Sequence, residues 1–286
     1  MRGLFLHITS ADGTVLSVET TGPEDGTPIL LLHGVSSSSL TYDWLPDEVT
    51  DSFRVVTLDF RGHGQSAHTP GTYTLRYYYD DAVAVLEKVI KRPAIVAGFS
   101  LGATVGWRLA QKRPDLVSAV LLEEPIIYPA DVYADGTIPR VLRYTIEQEI
   151  DWQQRGVDLD VAAAELGANA AGPNVSMSDV LHPDSIRALA ASTIVRDRGV
   201  TEAAIDGSMT DGVDPTAPPL VPTVIVAGGD DRGTVFVTKH AERVQKLHSD
   251  VVVHRNDQAG HGVHTSLWGR EQWLGLLLHL AKSVER

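Results

Sequence analysis

The pentapeptide Gly98-Phe99-Ser100-Leu101-Gly102 sets a serine between two glycines, after the apolar run Ala94–Phe99 and before Leu101–Gln111, whose apolar residues recur at helical spacing. A strand that turns sharply into a helix holds such a serine in a strained backbone conformation, exposes its hydroxyl at the helix's positive end, and needs small neighbours to make the turn. Ser100 is therefore the candidate nucleophile. A hydroxyl attacks only once a base removes its proton, and eleven histidines are available. Position selects His261. It sits in Gln258-Ala259-Gly260-His261-Gly262, a loop between the last strand-like run and the C-terminal helix, at the same carboxyl edge of a sheet as Ser100. Serine first and histidine last is also the chain order that accompanies this kind of turn. His264 is expected to point elsewhere, and His33 and His63 lie in turns where packing and hydrogen bonding are their expected roles.

The elements that must position these groups alternate between two periods. Leu4–Thr9 and Val15–Glu19 flank Asp12-Gly13 and read as a hairpin. Ile29–His33, Arg54–Asp59, Ala94–Phe99, Ala119–Leu122, Pro222–Ala227 and Val251–Arg255 are short apolar runs bordered by Gly, Pro or Asp, which suits buried strands. Helical spacing marks Leu75–Ile90, with Thr74 at its N-cap, and Leu101–Gln111, Val235–Leu247 and Leu267–Ser283. Such alternation predicts an α/β fold: a mostly parallel, twisted sheet with helices on both faces. From about Pro125 to Pro219 the strands stop, while helical segments such as Val141–Trp152 and Ser185–Val195 continue. A structureless loop of that length is rare in a compact domain. The expected division is a core of residues 1–124 and 220–286 with a helical lid over 125–219.

Composition removes whole classes of function. Among 286 residues, 24 Lys and Arg face 37 Asp and Glu, a net charge of −13 that repels phosphate backbones, so no nucleic-acid partner is expected. The absence of cysteine excludes disulfides, thiolate metal sites and a thiol nucleophile. Apolar runs such as Leu276-Leu277-Leu278 fall far short of the ~20 residues that span a bilayer, so no membrane partner is expected. The opening Met1–Leu6 is interrupted by His7 and Asp12 too soon for a secretory segment, which leaves a cytoplasmic expectation. No zinc-binding His-Glu-x-x-His, phosphate-binding loop or dinucleotide fingerprint occurs, so neither a metal nor a cofactor is expected. Nothing in the pattern sets the oligomeric state.

Together these residues resemble the α/β-hydrolase family over nearly the whole chain. The resemblance rests on His33-Gly34 after a strand, the loop Asp59-x-Arg61-Gly62-x-Gly64-x-Ser66, the Ser100 turn, the carboxylate-bearing loop Gly228-Gly229-Asp230-Asp231, and Gly260-His261-Gly262. It implies a lidded serine hydrolase whose oxyanion hole is the backbone N–H of Leu101 and of Val35. The third member of the triad has two principal candidates. Asp231, with Asp230 beside it, follows a strand where most family members keep the acid. Leu122-Glu123-Glu124-Pro125 puts carboxylates after another strand, where some members carry the acid as Glu, and Glu123 is the candidate there. Ile90-Lys91-Arg92-Pro93 together with Glu123-Glu124-Pro125 is similar to enzymes that open the macrolactone zearalenone. The function implied is cleavage of a carboxylic ester or lactone of a moderately apolar small molecule through an acyl-enzyme. A C–C bond hydrolase of ring-cleavage products and a small-molecule receptor on the same fold are the alternatives.

Overall fold

A computed structural model describes residues 3–49, 52–134 and 137–284; Met1 and Arg2 of the opening run lie outside the described residues. In chain order the elements begin with β1 (Leu4–Thr9), β2 (Val15–Thr21), β3 (Thr27–Leu32), α1 (Leu45–Val49), β4 (Phe53–Asp59), α2 (Leu75–Val85), β5 (Ala94–Phe99), α3 (Leu101–Lys112) and β6 (Val117–Glu123). Next come α4 (Pro129–Tyr133), α5 (Thr137–Arg155), α6 (Leu159–Ala168), β7 (Ala170–Gly172), β8 (Val175–Ser176), α7 (Pro183–Val195) and α8 (Arg198–Asp206). The chain closes with β9 (Thr223–Gly228), α9 (Thr238–Leu247), β10 (Val252–Asn256) and α10 (Arg270–Val284).

Eight strands form one sheet in the order β1-β2-β4-β3-β5-β6-β9-β10. The pairs β1–β2 and β2–β4 are antiparallel and the rest are parallel. The central strands are apolar without alternation because both of their faces are covered. Leu30 and Leu32 pack on one side with Ala82 and Val85 of α2, Val105 of α3 and Val244 of α9. Ile29 and Leu31, one residue out of phase, pack on the other with Leu45 of α1 and with Trp273 and Leu277 of α10. At the β1–β2 turn Gly13 has φ +88°, and the Asp12 side chain accepts the Thr14 N–H at 3.1 Å, as the Asp-Gly pair predicts.

Several boundaries move for visible reasons. The helix predicted over Leu75–Ile90 widens to a π-turn over Leu86–Ile90 and stops where Lys91 adopts φ +62°. Thr74 holds the N-cap position, but its hydroxyl makes no capping bond. Helix α9 begins at Thr238, not Val235, because the N–H groups of Val235 and Phe236 are given to Glu124. The Thr238 N–H goes to Asp230. The last helix begins at Arg270, not Leu267, because residues 265–267 instead bond to 180–182.

The segment between β6 and β9 is a lid-like region of helices, to which the structure adds one unpredicted feature, the short hairpin β7–β8. Trp152 is buried in this region's own small core with Ala162 and Ala190, its indole N–H on Glu165 at 2.7 Å. Ile127 and Tyr128 likewise join the main core. The region is joined to the rest by His182 N–H on Thr265 O, Leu267 N–H on Val180 O and a 2.7 Å bond between the hydroxyls of Ser38 and Ser192. Among the described residues no helix is long and apolar enough to cross a membrane.

Candidate active site

At the end of β5 Ser100 adopts φ +52° and ψ −107°, a conformation that side chains rarely take. The structure around it explains both glycines. A Cβ on Gly98 would lie 2.4 Å from the Gly102 backbone, and one on Gly102 would lie 2.0 Å from Leu32 O. The turn is tied down by Ser100 N–H on Glu123 O at 2.8 Å, while Ser100 O accepts from the backbone and hydroxyl of Thr104.

Ser100 Oγ lies 3.1 Å from His261 Nε2 across 161 residues of sequence. On the far side of the ring, Nδ1 lies 3.2 Å from Oε2 of Glu124. Because a carboxylate only accepts, Nδ1 carries the ring proton and Nε2 is free to accept from Ser100. His261 is about one-third exposed, Ser100 is nearly buried and Glu124 is sealed.

The acid that reaches His261 is therefore neither of the two expected from sequence. Glu124 has φ +55°, so its side chain leaves the alternation of β6 and turns toward the loop after β9. There Oε1 accepts from Gly228 N–H and the Thr234 hydroxyl, and Oε2 from the N–H groups of Val235 and Phe236. Asp231 sits on the surface, 88% exposed, with Arg232 4.0 Å away. Asp230 caps α9 through Thr238 N–H and pairs with Arg255 at 2.8 Å. Glu123 is fully buried but spends its carboxylate on Val263 N–H, His264 N–H and His264 Nδ1, the last at 2.8 Å. Two adjacent carboxylates after a strand were the only sequence signal for Glu124. The left-handed turn that selects it was not legible, since a residue before proline ordinarily stays extended.

The other side of Ser100 is formed by the loop after β3. A Cβ on Gly34 would come within 3.3 Å of Ser100 Cβ and 2.8 Å of the Phe99 ring, so this backbone lies directly against the serine. Among the described residues the N–H groups of Val35 and Leu101 have no hydrogen-bond acceptor. His33 donates from Nδ1 to Gly34 O at 2.8 Å and accepts Phe60 N–H on Nε2 at 3.0 Å. His63 faces Val35 O at 2.9 Å and Arg61 O at 3.0 Å. Burial pushes His33 down to about 4 and His63 down to about 3, which favours the neutral form of both rings near pH 7; neutral His63 has a single N–H and donates to one of its two carbonyl neighbours. Among the described residues no three His, Asp or Glu side chains converge as metal ligands would.

Comparison with known proteins agrees with this architecture. The model of the alpha/beta hydrolase family matches residues 29–270, and the chain belongs to that family. A serine hydrolase-like protein of Danio rerio is 33% identical over 103 residues, 35% of this chain and 32% of that protein. A bifunctional esterase/perhydrolase of Acinetobacter calcoaceticus is 28% identical over 240 residues, 80% of this chain and 83% of that protein. The first curated relatives are matched over only about a third to two-fifths of their length. Among solved structures, E-2-(acetamidomethylene)succinate hydrolase superposes with a TM-score of 0.76 at 21% identity, over 98% of this chain and 100% of that one, which is a likeness of fold.

Proposed function

We propose that the protein is a serine hydrolase that cleaves a carboxylic ester or lactone of a moderately apolar small molecule. The observation that carries this is the line of contacts Ser100 Oγ, His261 Nε2, His261 Nδ1, Glu124 Oε2 at 3.1 and 3.2 Å. In the first step Ser100 Oγ bonds to the carbonyl carbon while its proton passes to His261 Nε2. Glu124 keeps the ring in its Nδ1–H form and stabilises the imidazolium without taking the proton. The carbonyl oxygen, now negative, is received by the N–H groups of Leu101 and Val35, a contribution of roughly 3 kcal/mol per donor in the transition state. His261 returns the proton to the departing alkoxide, which leaves an acyl-serine. Water then repeats the sequence, losing its proton to Nε2 and releasing the acid. For a lactone, the alkoxide and the acid belong to one molecule.

The partial exposure of His261 supports entry of substrate and water from that side, beside the half-exposed Phe99 ring 4.9 Å away. The helical region between β6 and β9 acts as the lid over a core of residues 1–124 and 220–286. Reaction of the whole chain with a fluorophosphonate, followed by peptide mapping, tests the reading. Label on Ser100 that is lost in Ser100→Ala supports it, and an unlabelled wild type overturns it. Competition by a panel of esters and lactones then ranks substrates, while a vinylogous diketone that outcompetes them points to C–C cleavage.

A further inference from the structure

We infer that Glu123, acting with His264, is a positioning residue that holds the loop carrying His261; this rests on the reading of His261 as the base. All three donors to its carboxylate lie within two consecutive residues. Oε1 takes the N–H groups of Val263 and His264, and Oε2 takes His264 Nδ1–H. Those residues follow His261 by two and three positions, so the carboxylate fixes the backbone just beyond the base. The hold is dry, since the side chains of Glu123 and His264 are both fully buried.

The imidazole of His264 is itself immobilised. It stacks on Tyr42 with centroids 4.7 Å apart and rings 20° from parallel, and it meets Phe99 edge-on at 5.2 Å. Phe99 also touches His261 at 4.9 Å, so one ring separates the two histidines. His264 Nε2 has no partner among the described residues, which leaves the bond to Glu123 as the one that sets the ring's tautomer. Farther along, Arg270 Nε donates to His264 O while its other nitrogens hold Asp184 at 2.7 and 2.8 Å. The loop is thus gripped from the core by Glu123 and from the helical region through Arg270. Glu123 also gives its carbonyl to Ser100 N–H, so a single residue contacts the backbones of both the nucleophile and the base loop. Its carboxylate does not contact His261 and takes no proton in the reaction.

The test uses Glu123→Gln, Glu123→Ala and His264→Gln in the full chain. Turnover of a p-nitrophenyl ester and the rate of Ser100 labelling by a fluorophosphonate are measured alongside Tm. Glu123→Ala is expected to lower kcat about 10²-fold, the cost of displacing a reacting group by about 1 Å, with KM within about twofold and labelling slowed in parallel. Glu123→Gln keeps an oxygen for the two backbone donors and loses only the match to His264 Nδ1–H, so it should recover part of that loss. His264→Gln should resemble it. Val85→Ala, in the core far along the chain, supplies a destabilised comparison whose kcat should stay near wild type. If Glu123→Ala does not fold, the two Gln variants carry the test. Unchanged kcat and labelling in both would overturn the inference, as would a change confined to KM or a loss of kcat in Val85→Ala as large as theirs. A wild type that the fluorophosphonate does not label would instead overturn the nucleophile reading, before any variant is compared.

Discussion

Two Glu–His pairs stand side by side in this molecule, built from adjacent glutamates and from histidines three residues apart, yet their settings differ. In the pair Glu124–His261 the carboxylate is sealed, the imidazole is about one-third exposed and its second nitrogen meets a hydroxyl. In the pair Glu123–His264 both side chains are sealed and the second nitrogen has no hydrogen-bond partner among the described residues. On the proposed mechanism the contrast separates a reagent from a brace. A histidine does proton chemistry only when its free nitrogen has both a proton partner and a route for substrate and water. Deprived of those, the same two groups serve to hold backbone.

The sharpest way to break this comparison is at the hydroxyl. Ser100→Ala should lower ester turnover by at least about 10⁴-fold while leaving Tm close to wild type; the residual rate would come from the remaining donors alone. A variant that retained turnover would remove His261 from its role as well. Next in size is the acid. Glu124→Gln should cost of order 10⁴ in kcat, because an amide facing Nδ1 favours the wrong tautomer. The same substitution at Glu123 should cost far less, and equal losses in the two would erase the distinction drawn here.

A third expectation concerns acid. The folded-state pKa values of His33 and His63, near 4 and 3, lie below the ordinary 6.5. The unfolded chain therefore binds more protons between pH 6.5 and those values, and stability falls as pH falls through that window. The stabilisation is complete only above pH 6.5. Urea unfolding at pH 7 and pH 4.5 should differ by several kcal/mol, with His63→Gln flattening the dependence. A slope unchanged in that variant would show that the ring is not held neutral. The smallest effect is expected at Asp231, where Asp231→Asn should leave kcat and KM within about twofold because exposed side chains without close partners rarely matter. A large loss there would return the acid to the loop after β9.

Much of this was legible in the residues. Ser100 and His261 were marked by glycine-bounded turns, and a turn that needs glycine leaves a trace in any sequence. The central strands were marked by apolar runs without alternation, since both of their faces are buried. The carboxylate that meets His261 was not legible. Asp231 occupies the expected loop, but its side chain faces solvent, and that loop contributes its N–H groups to Glu124 instead. Nor did the sequence show that Trp152 closes a local core with Ala162 and Ala190.

What the sequence determined by itself was therefore local: the order of elements, the strained serine and the loop that carries the histidine. Each follows from the steric limits of a few neighbouring residues. Which of two adjacent glutamates reaches His261, and which braces His264, was decided by tertiary structure. The left-handed Glu124 just after β6 turns its carboxylate out of the strand's alternation, which Glu123 keeps. Only donors brought from residues 228–236 and 263–264 make that choice stable.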